Sequence, residues 1–365
     1  MTDERHVPHH MRAVVLTGHG GLDMLEFRDD VPVPVPGHDE VLIAVAACGL
    51  NNTDVNTRTG WYSRSVRSAT DGEVTASAAE GGWGGEMTFP RIQGADPVGR
   101  IVQVGADVSG DRIGERVLVD GWLRAPDGAL EGARYLGSEV DGGFAEYVTV
   151  PARNAHAVDS ALSDVELASV PCSYATAEHM LHRADVRDGQ WMLVTGASGG
   201  VGRALIQLAR RRGARVVAVT SRVKVDAVLA LGADAALDRD RDDLAAAVAD
   251  ATGGGVDVFA DVVGGPLFAA LLDTVRRGGH YVCAGAIAGP EVTLDLRTLY
   301  LGDLTFHGAT VLPPDVFADL VSYVERGEIA PAVAATYPLE RLVAAQEAFM
   351  TRTYVGAIVI DVAGP

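Results

Sequence analysis

The chain has 365 residues, 48% of them apolar, and 49 Asp and Glu against 30 Lys and Arg give a formal charge of −19. That length exceeds one comfortable core and predicts two domains, while the acidic balance excludes a surface built for nucleic acid or anionic membrane. No run reaches transmembrane length, the start MTDERHVPHH is polar rather than a signal peptide, and Cys48, Cys172 and Cys283 are too scattered for a disulfide framework or a four-cysteine zinc lobe, so a cytoplasmic chain is expected.

From Met11 the chain reads as strands: RAVVLTGHG, then LEFRDDVPVPVPG, whose Pro32, Pro34 and Pro36 keep the link extended, then EVLIAVAACGL. NNTDVNTRTGWY reads as a polar-aromatic loop. Residues 63–88, rich in Gly, Ser, Ala and Glu without periodicity, read as an insertion that is either a lid or a plain surface loop. Strand-forming runs return in FPRIQGADPVGRIVQVGADV, RIGERVLVDGWL and GGFAEYVTVP, and predict a small β-barrel domain over residues 1–157. Helical spacing begins at Ser163 and is interrupted by Pro171.

The stretch WMLVTGASGGVGR, Trp191 to Arg203, is a strand, a glycine-rich turn and a helix start. Gly196, Ala197, Ser198, Gly199, Gly200, Val201 and Gly202 form the turn, and small residues there let the backbone approach a pyrophosphate seated on the helix N-terminus. A site for an unphosphorylated ribose would place a carboxylate after the next strand. Here stand Thr220, Ser221, Arg222, Val223 and Lys224, with no acid before Asp226, so NADPH is expected rather than NADH. The plainer alternative makes Arg222 and Lys224 solvated charges.

Strands are predicted at Trp191–Thr195, Arg215–Thr220, Ala235–Asp238, Val256–Val262, His280–Ala284 and Leu304–Gly308, with helical stretches such as Lys224–Leu231 and Pro266–Arg276 between them. This alternation predicts an α/β fold with a doubly wound parallel sheet over residues 158–310. Residues 311–365 carry two helical segments and a final strand, GAIVIDV, returning to the β domain.

These pieces resemble the medium-chain dehydrogenase/reductase superfamily over nearly the whole chain. MRAVVLTGHGG, PVPVPGHDEVLI, GLNNTD and GADPVGRIVQVG are similar to its GroES-like catalytic domain; VTGASGGVG, GVDVFADVVGG and RRGGHYVCAG are similar to the nucleotide domain of its zinc-independent quinone oxidoreductase and zeta-crystallin branch. Laid on the zinc-dependent members, the ligand positions fall on Asn51, Ala95 and Cys172, of which only Cys172 is a usual donor, so no catalytic metal is expected. Cys172 then reads as a small buried residue beside the cofactor. Without a Lewis acid, hydride addition to an enone, enal or quinone-like acceptor is favoured, because its charge spreads over an enolate that hydrogen-bond donors stabilise.

The resemblance implies that Asn51 and Asp54 line the nicotinamide pocket and maps a tyrosine onto Tyr62; Tyr62 or water returns the proton, with Asn51 or Asn52 positioning Tyr62 and Arg58 holding the loop. Asn56 stands where the family often has another tyrosine. Tyr174 is a further candidate on the cofactor side, while helix packing explains His179 and His182. Thr176, Val263 and Gly285 complete the implied cofactor contacts, and an apolar or aromatic small-molecule substrate and a homodimer through Leu304–Gly308 are expected. The alternatives are an alcohol dehydrogenase or carbonyl reductase, including one with a metal on Cys172 and Asp96, and a non-catalytic crystallin-like NADPH-binding protein.

Overall fold

The computed structural model describes residues 7–70, 87–125, 129 and 131–364. They divide into two units. The first takes residues up to Val66, from Met87 to Cys172 and from Pro313 onward; the second takes Arg67–Thr70 and Ser173–Leu312. Much of the 63–88 insertion, including Trp83, lies outside the described residues, as does His6.

The first unit is mostly antiparallel. It contains β1 (His10–Leu16), β2 (Leu25–Pro32), β3 (Glu40–Gly49), α1 (Asn52–Thr59), β4 (Arg91–Ile92), β5 (Asp96–Val104), β6 (Arg116–Val119), β7 (Trp122–Leu123), β8 (Arg134–Tyr135), β9 (Tyr147–Pro151), β10 (Ala155–Ala157) and α2 (Asp164–Leu167). The strand β3 pairs with β5 and β9, and Val41, Leu42 and Ile43 on it are fully buried, which explains its unbroken apolar run. Leu16, Ile101, Val117 and Phe144 join Ile43 in the core.

The NNTDVNTRTGWY segment is a helix over Asn52–Thr59, not the expected loop. Its residues are polar, so apolar periodicity is silent, yet Thr53, Asp54, Asn56, Thr57 and Arg58 are all buried. The helix is specified by its ends. The Asp54 carboxylate accepts from the Asn51 backbone N–H at 2.8 Å, and Gly60 closes the helix in the left-handed region at φ +75°.

The second unit takes α3 (Pro171–Arg183) from Ser173 on and runs through β11 (Trp191–Val194), α4 (Gly200–Arg211), β12 (Arg215–Thr220), α5 (Val225–Ala230), β13 (Ala235–Asp238), α6 (Leu244–Thr252), β14 (Val256–Asp261), α7 (Phe268–Leu272), β15 (Val275–Cys283), α8 (Leu296–Leu301) and β16 (Thr305–Gly308). Its six strands are all parallel in the order β13-β12-β11-β14-β15-β16, the 3-2-1-4-5-6 order of a doubly wound sheet. Two local expectations are corrected. The helix predicted over Pro266–Arg276 stops at Leu272, and β15 begins five residues before His280 because Val275 pairs with Val256.

The remaining elements, α9 (Pro314–Glu325), β17 (Val333–Pro338), α10 (Leu342–Thr351) and β18 (Ala357–Asp361), belong to the first unit. The strand β18 pairs antiparallel with β3, and β17, which the sequence reading missed, extends the sheet in parallel with β18. Among the described residues no helix is long and apolar enough to cross a membrane.

Candidate active site

In the second unit, the turn after β11 is shaped by steric need. Gly196 has φ +59°, and a Cβ there would meet Val262 at 2.9 Å; a Cβ on Gly202 would meet the Gly196 carbonyl oxygen at 2.3 Å. Ala197 is fully buried and its N–H donates to the Val219 carbonyl, which ties the turn to β12. With Gly199 as N-cap, α4 starts at Gly200, three residues earlier than expected, so the first-turn amides of Gly200, Val201 and Gly202 have no acceptor within the helix. A Cβ on Gly200 would lie 2.4 Å from Ser173 Oγ, a neighbour on α3 that the sequence did not reveal; Thr176 is half-buried one turn further along, and Ser198 is half-buried in the turn.

At the end of β12, Thr220 is 4% exposed and its Oγ1 has no hydrogen-bond partner among the described residues. Ser221 caps a short turn, Arg222–Lys224, on which Arg222 is exposed and Lys224 half-buried. Register adds a feature that spacing hid. Asp238 of β13 stands beside Thr220, and the N–H of Arg239 donates to the Thr220 carbonyl at 2.8 Å. The helix N-terminus, the glycine cradle and the orphan hydroxyl fit a dinucleotide.

Val263 and Gly285 follow β14 and β15, on loops joined by the Ala288 N–H donating to the Val263 carbonyl at 2.8 Å. Tyr174 is corrected. It is 1% exposed and its hydroxyl accepts from Gln207 at 3.0 Å, so it packs between α3 and α4 as a core residue. His179 is buried on α3 and His182 is exposed.

In the first unit, a polar cluster surrounds the N-terminus of α1. Asn51 donates its side-chain amide to Asp96 Oδ2 at 2.8 Å, and the Cys172 N–H donates to Asp96 Oδ1 at 2.9 Å. Asp54 accepts from the N–H groups of Asn51 and Gly94, and Gln93 donates to the Asp54 carbonyl and to Thr57. Burial pushes the Asp54 carboxyl up to about 7 against those backbone donors. Burial, reinforced by Asp54, also holds the Asp96 carboxyl well above the usual carboxylate range, and burial raises the thiol of Cys48.

Tyr62 follows α1, packed edge-on against Trp61. Desolvation raises its phenol, while hydrogen bonds from the side chains of Thr53 and Asn56 act the other way. Asn56 in turn accepts from Asn52 at 3.1 Å. Asn52 therefore reaches Tyr62 through Asn56, whereas the Asn51 side chain is committed to Asp96. Arg58 is 2% exposed and fixes the helix, donating to Gln346 on α10 and to the Gly20 carbonyl. Two residues at this site carried no recognisable signal in sequence. Tyr135, whose phenol is raised by burial first and then by Cys172 and Asp96, arrives from β8, and Gln93 from the segment before β5.

The three positions that the resemblance lays on zinc ligands are Asn51, Ala95 and Cys172. Asn51 donates its side-chain amide to Asp96, Ala95 has no side-chain donor atom, and Cys172 is half-buried. Among the described residues no group of three or more His, Cys, Asp and Glu is arranged to hold a metal.

Residues 37–160 match the alcohol dehydrogenase GroES-like domain, and residues 200–326 match the zinc-binding dehydrogenase family. The chain is 30% identical to an acryloyl-coenzyme A reductase of Metallosphaera sedula over 96% of this chain and 99% of that protein. It is also 30% identical to the quinone oxidoreductase of Mus musculus over 92% of this chain and 93% of that one. A solved candidate alcohol dehydrogenase from Sinorhizobium meliloti 1021 is 49% identical and superposes with a TM-score of 0.90, covering 98% of both chains. The GroES-like β unit, the doubly wound sheet and these similarities together show that the chain is an oxidoreductase belonging to the medium-chain dehydrogenase/reductase superfamily.

Proposed function

We propose that this protein is a zinc-independent, NADPH-dependent reductase of the conjugated double bond in an enone, enal or quinone-like substrate. The observation that carries the reading is the Asn51–Asp96 hydrogen bond, which takes up the first metal-ligand position while Ala95 leaves the second without a donor. The acryloyl-coenzyme A reductase and quinone oxidoreductase similarities support conjugate reduction.

Bound NADPH supplies the hydride. Around it, the amides of Gly200, Val201 and Gly202 receive the pyrophosphate, and Thr220, Ser221, Arg222 and Lys224 receive the ribose 2′-phosphate. The Tyr62 hydroxyl, held through Asn56 and Asn52, donates the proton to the developing enolate. Its raised pKa keeps the phenol protonated and able to donate. The Trp61–Tyr62 pair favours an apolar or aromatic acceptor.

A cytoplasmic homodimer completes the reading. It is supported by the position of β16 at the sheet edge and by the exposed Leu296, Tyr300 and Leu301 of α8. The rival alcohol dehydrogenase reading draws on the Sinorhizobium similarity. The deciding experiment follows NADPH absorbance in a metal-chelated sample offered a quinone, an α,β-unsaturated ketone or a saturated aldehyde. Oxidation with a conjugated acceptor alone supports the proposal; activity on the aldehyde alone, or only after zinc is restored, replaces it.

A further inference from the structure

The side chain of Asp261, at the carboxyl end of β14, is 1% exposed and gathers donors from several elements. Thr195 Oγ1 donates to its Oδ1 at 2.5 Å and the Val263 N–H at 2.8 Å; the Gly264 N–H reaches Oδ1 at 3.1 Å and Oδ2 at 3.2 Å; and Tyr281 Oη donates to Oδ2 at 3.1 Å. Thr195 Oγ1 also accepts from the Val262 N–H at 3.3 Å. A buried carboxylate needs such donors, but these are distributed unevenly. Tyr281 lies within β15, whose course is already fixed by its ladders to β14 and β16. Thr195, Val263 and Gly264 lie beyond the ladders, in the loops at the carboxyl ends of β11 and β14.

Those loops interlock with a third. Gly264 and Gly265 have φ of +60° and +63°, and side chains there would meet the Gly289 carbonyl at 2.9 Å and the Ala288 Cβ at 2.8 Å. The Ile287 and Ala288 N–H groups donate to the carbonyls of Val262 and Val263. One carboxylate thus sets the Gly196 turn and the Val263 loop directly, and the Gly285 loop through them. In an open α/β sheet, ligands bind outside the carboxyl ends of the strands.

We infer that Asp261, working through Thr195, is a positioning residue for the nicotinamide cofactor, holding the Gly196, Val263 and Gly285 loops in their binding geometry. The inference rests on the cofactor reading of this unit.

The test titrates the full-length chain with NADPH and with NADH by fluorescence, alongside near-ultraviolet circular dichroism and thermal unfolding. Thr195→Val, folded as judged by its dichroism, is expected to bind NADPH about three- to tenfold more weakly, while Thr195→Ser, which keeps the hydroxyl, stays within about twofold of wild type. Tyr281→Phe is expected to lower the thermal midpoint and leave the cofactor dissociation constant unchanged. Asp261→Asn is expected to weaken binding at least as much as Thr195→Val where it folds, and the threonine variants decide the matter where it does not. A folded Thr195→Val with wild-type affinity, or a Tyr281→Phe that weakens binding equally, would overturn the inference by reducing Asp261 to a general brace. A wild-type chain that binds neither cofactor would overturn the cofactor reading as well.

Discussion

Asn51 donates its side-chain amide to Asp96 at 2.8 Å, joining the cap of α1 to the first residue of β5 across 45 positions of chain. Asp96 also accepts from the Cys172 N–H, so a carboxylate ties together the segments that a metal ion links in zinc-dependent relatives. Asn51→Cys combined with Ala95→His supplies, with Cys172, three donors of the right types. The double variant is expected to retain about one equivalent of zinc after dialysis, measured by elemental analysis, while the wild type retains none and keeps its activity through chelation. Stoichiometric zinc in the dialysed wild type would refute the metal-free reading.

Tyr62→Phe removes the proposed proton donor without disturbing the Trp61 contact. A drop in kcat of roughly a hundredfold with a conjugated acceptor is expected, with NADPH affinity unchanged. Asn56→Ala, which withdraws the group holding the phenol, is expected to lower kcat by a smaller factor. Steady-state kinetics check both, and an undiminished kcat for Tyr62→Phe would pass the role to water.

Arg222 and Lys224 stand on the turn after β12, whose last residue is Thr220. Arg222→Ala is expected to weaken NADPH about tenfold and NADH hardly at all, because in the proposed site only a 2′-phosphate would form a charge-assisted pair there. Asp238 pairs in register with Thr220, and a negative charge there would oppose the proposed 2′-phosphate, so Asp238→Asn is expected to strengthen NADPH binding. Equal effects on both cofactors in the titration would remove the basis for the NADPH preference.

The Asp54 carboxyl titrates at about 7 in the fold against an ordinary 3.8, because burial disfavours its charge. The folded state therefore binds more protons between those values. The stabilisation from this shift is complete below about 3.8 and is lost as pH rises through about 7. The variant Asp54→Asn is expected to flatten that part of the pH profile by a few kcal/mol, on the order of three pKa units at ~1.4 kcal/mol each. Parallel profiles in thermal or urea unfolding would show that Asp54 is not the responsible group.

A dimer seam at the edge of the parallel sheet would cover α8, where Leu301 is 57% exposed. Leu301→Lys is expected to shift the chain from dimer to monomer in light scattering with its circular dichroism intact. A monomeric wild type would end that proposal.

The parallel sheet was legible because its strands are continuous apolar runs, such as Val216–Val219, and the turn after β11 is written in small residues whose absent side chains leave room. Helix α1 escaped the apolar pattern because its buried face is polar, although Asn51, Asp54 and Gly60 marked its two ends. Strand β17 was hidden for a different reason. It is half-exposed, and nothing local says that β18 lies beside it.

By itself the sequence determined the fold class, the glycine-rich turn after β11 and the residue types at positions 51 and 95, since each follows from residue size, periodicity or donor chemistry at single positions. Only the tertiary structure decided the partners. It gave Asn51 to Asp96, Tyr174 to Gln207 and Asp238 to Thr220, and it gathered Thr195, Val263, Gly264 and Tyr281 around Asp261. Apart from Val263 and Gly264, which neighbour Asp261 in the chain, these pairings join residues 18 to 66 positions apart, and burial, which makes an unmade bond costly, is a property that the chain acquires only when its elements pack.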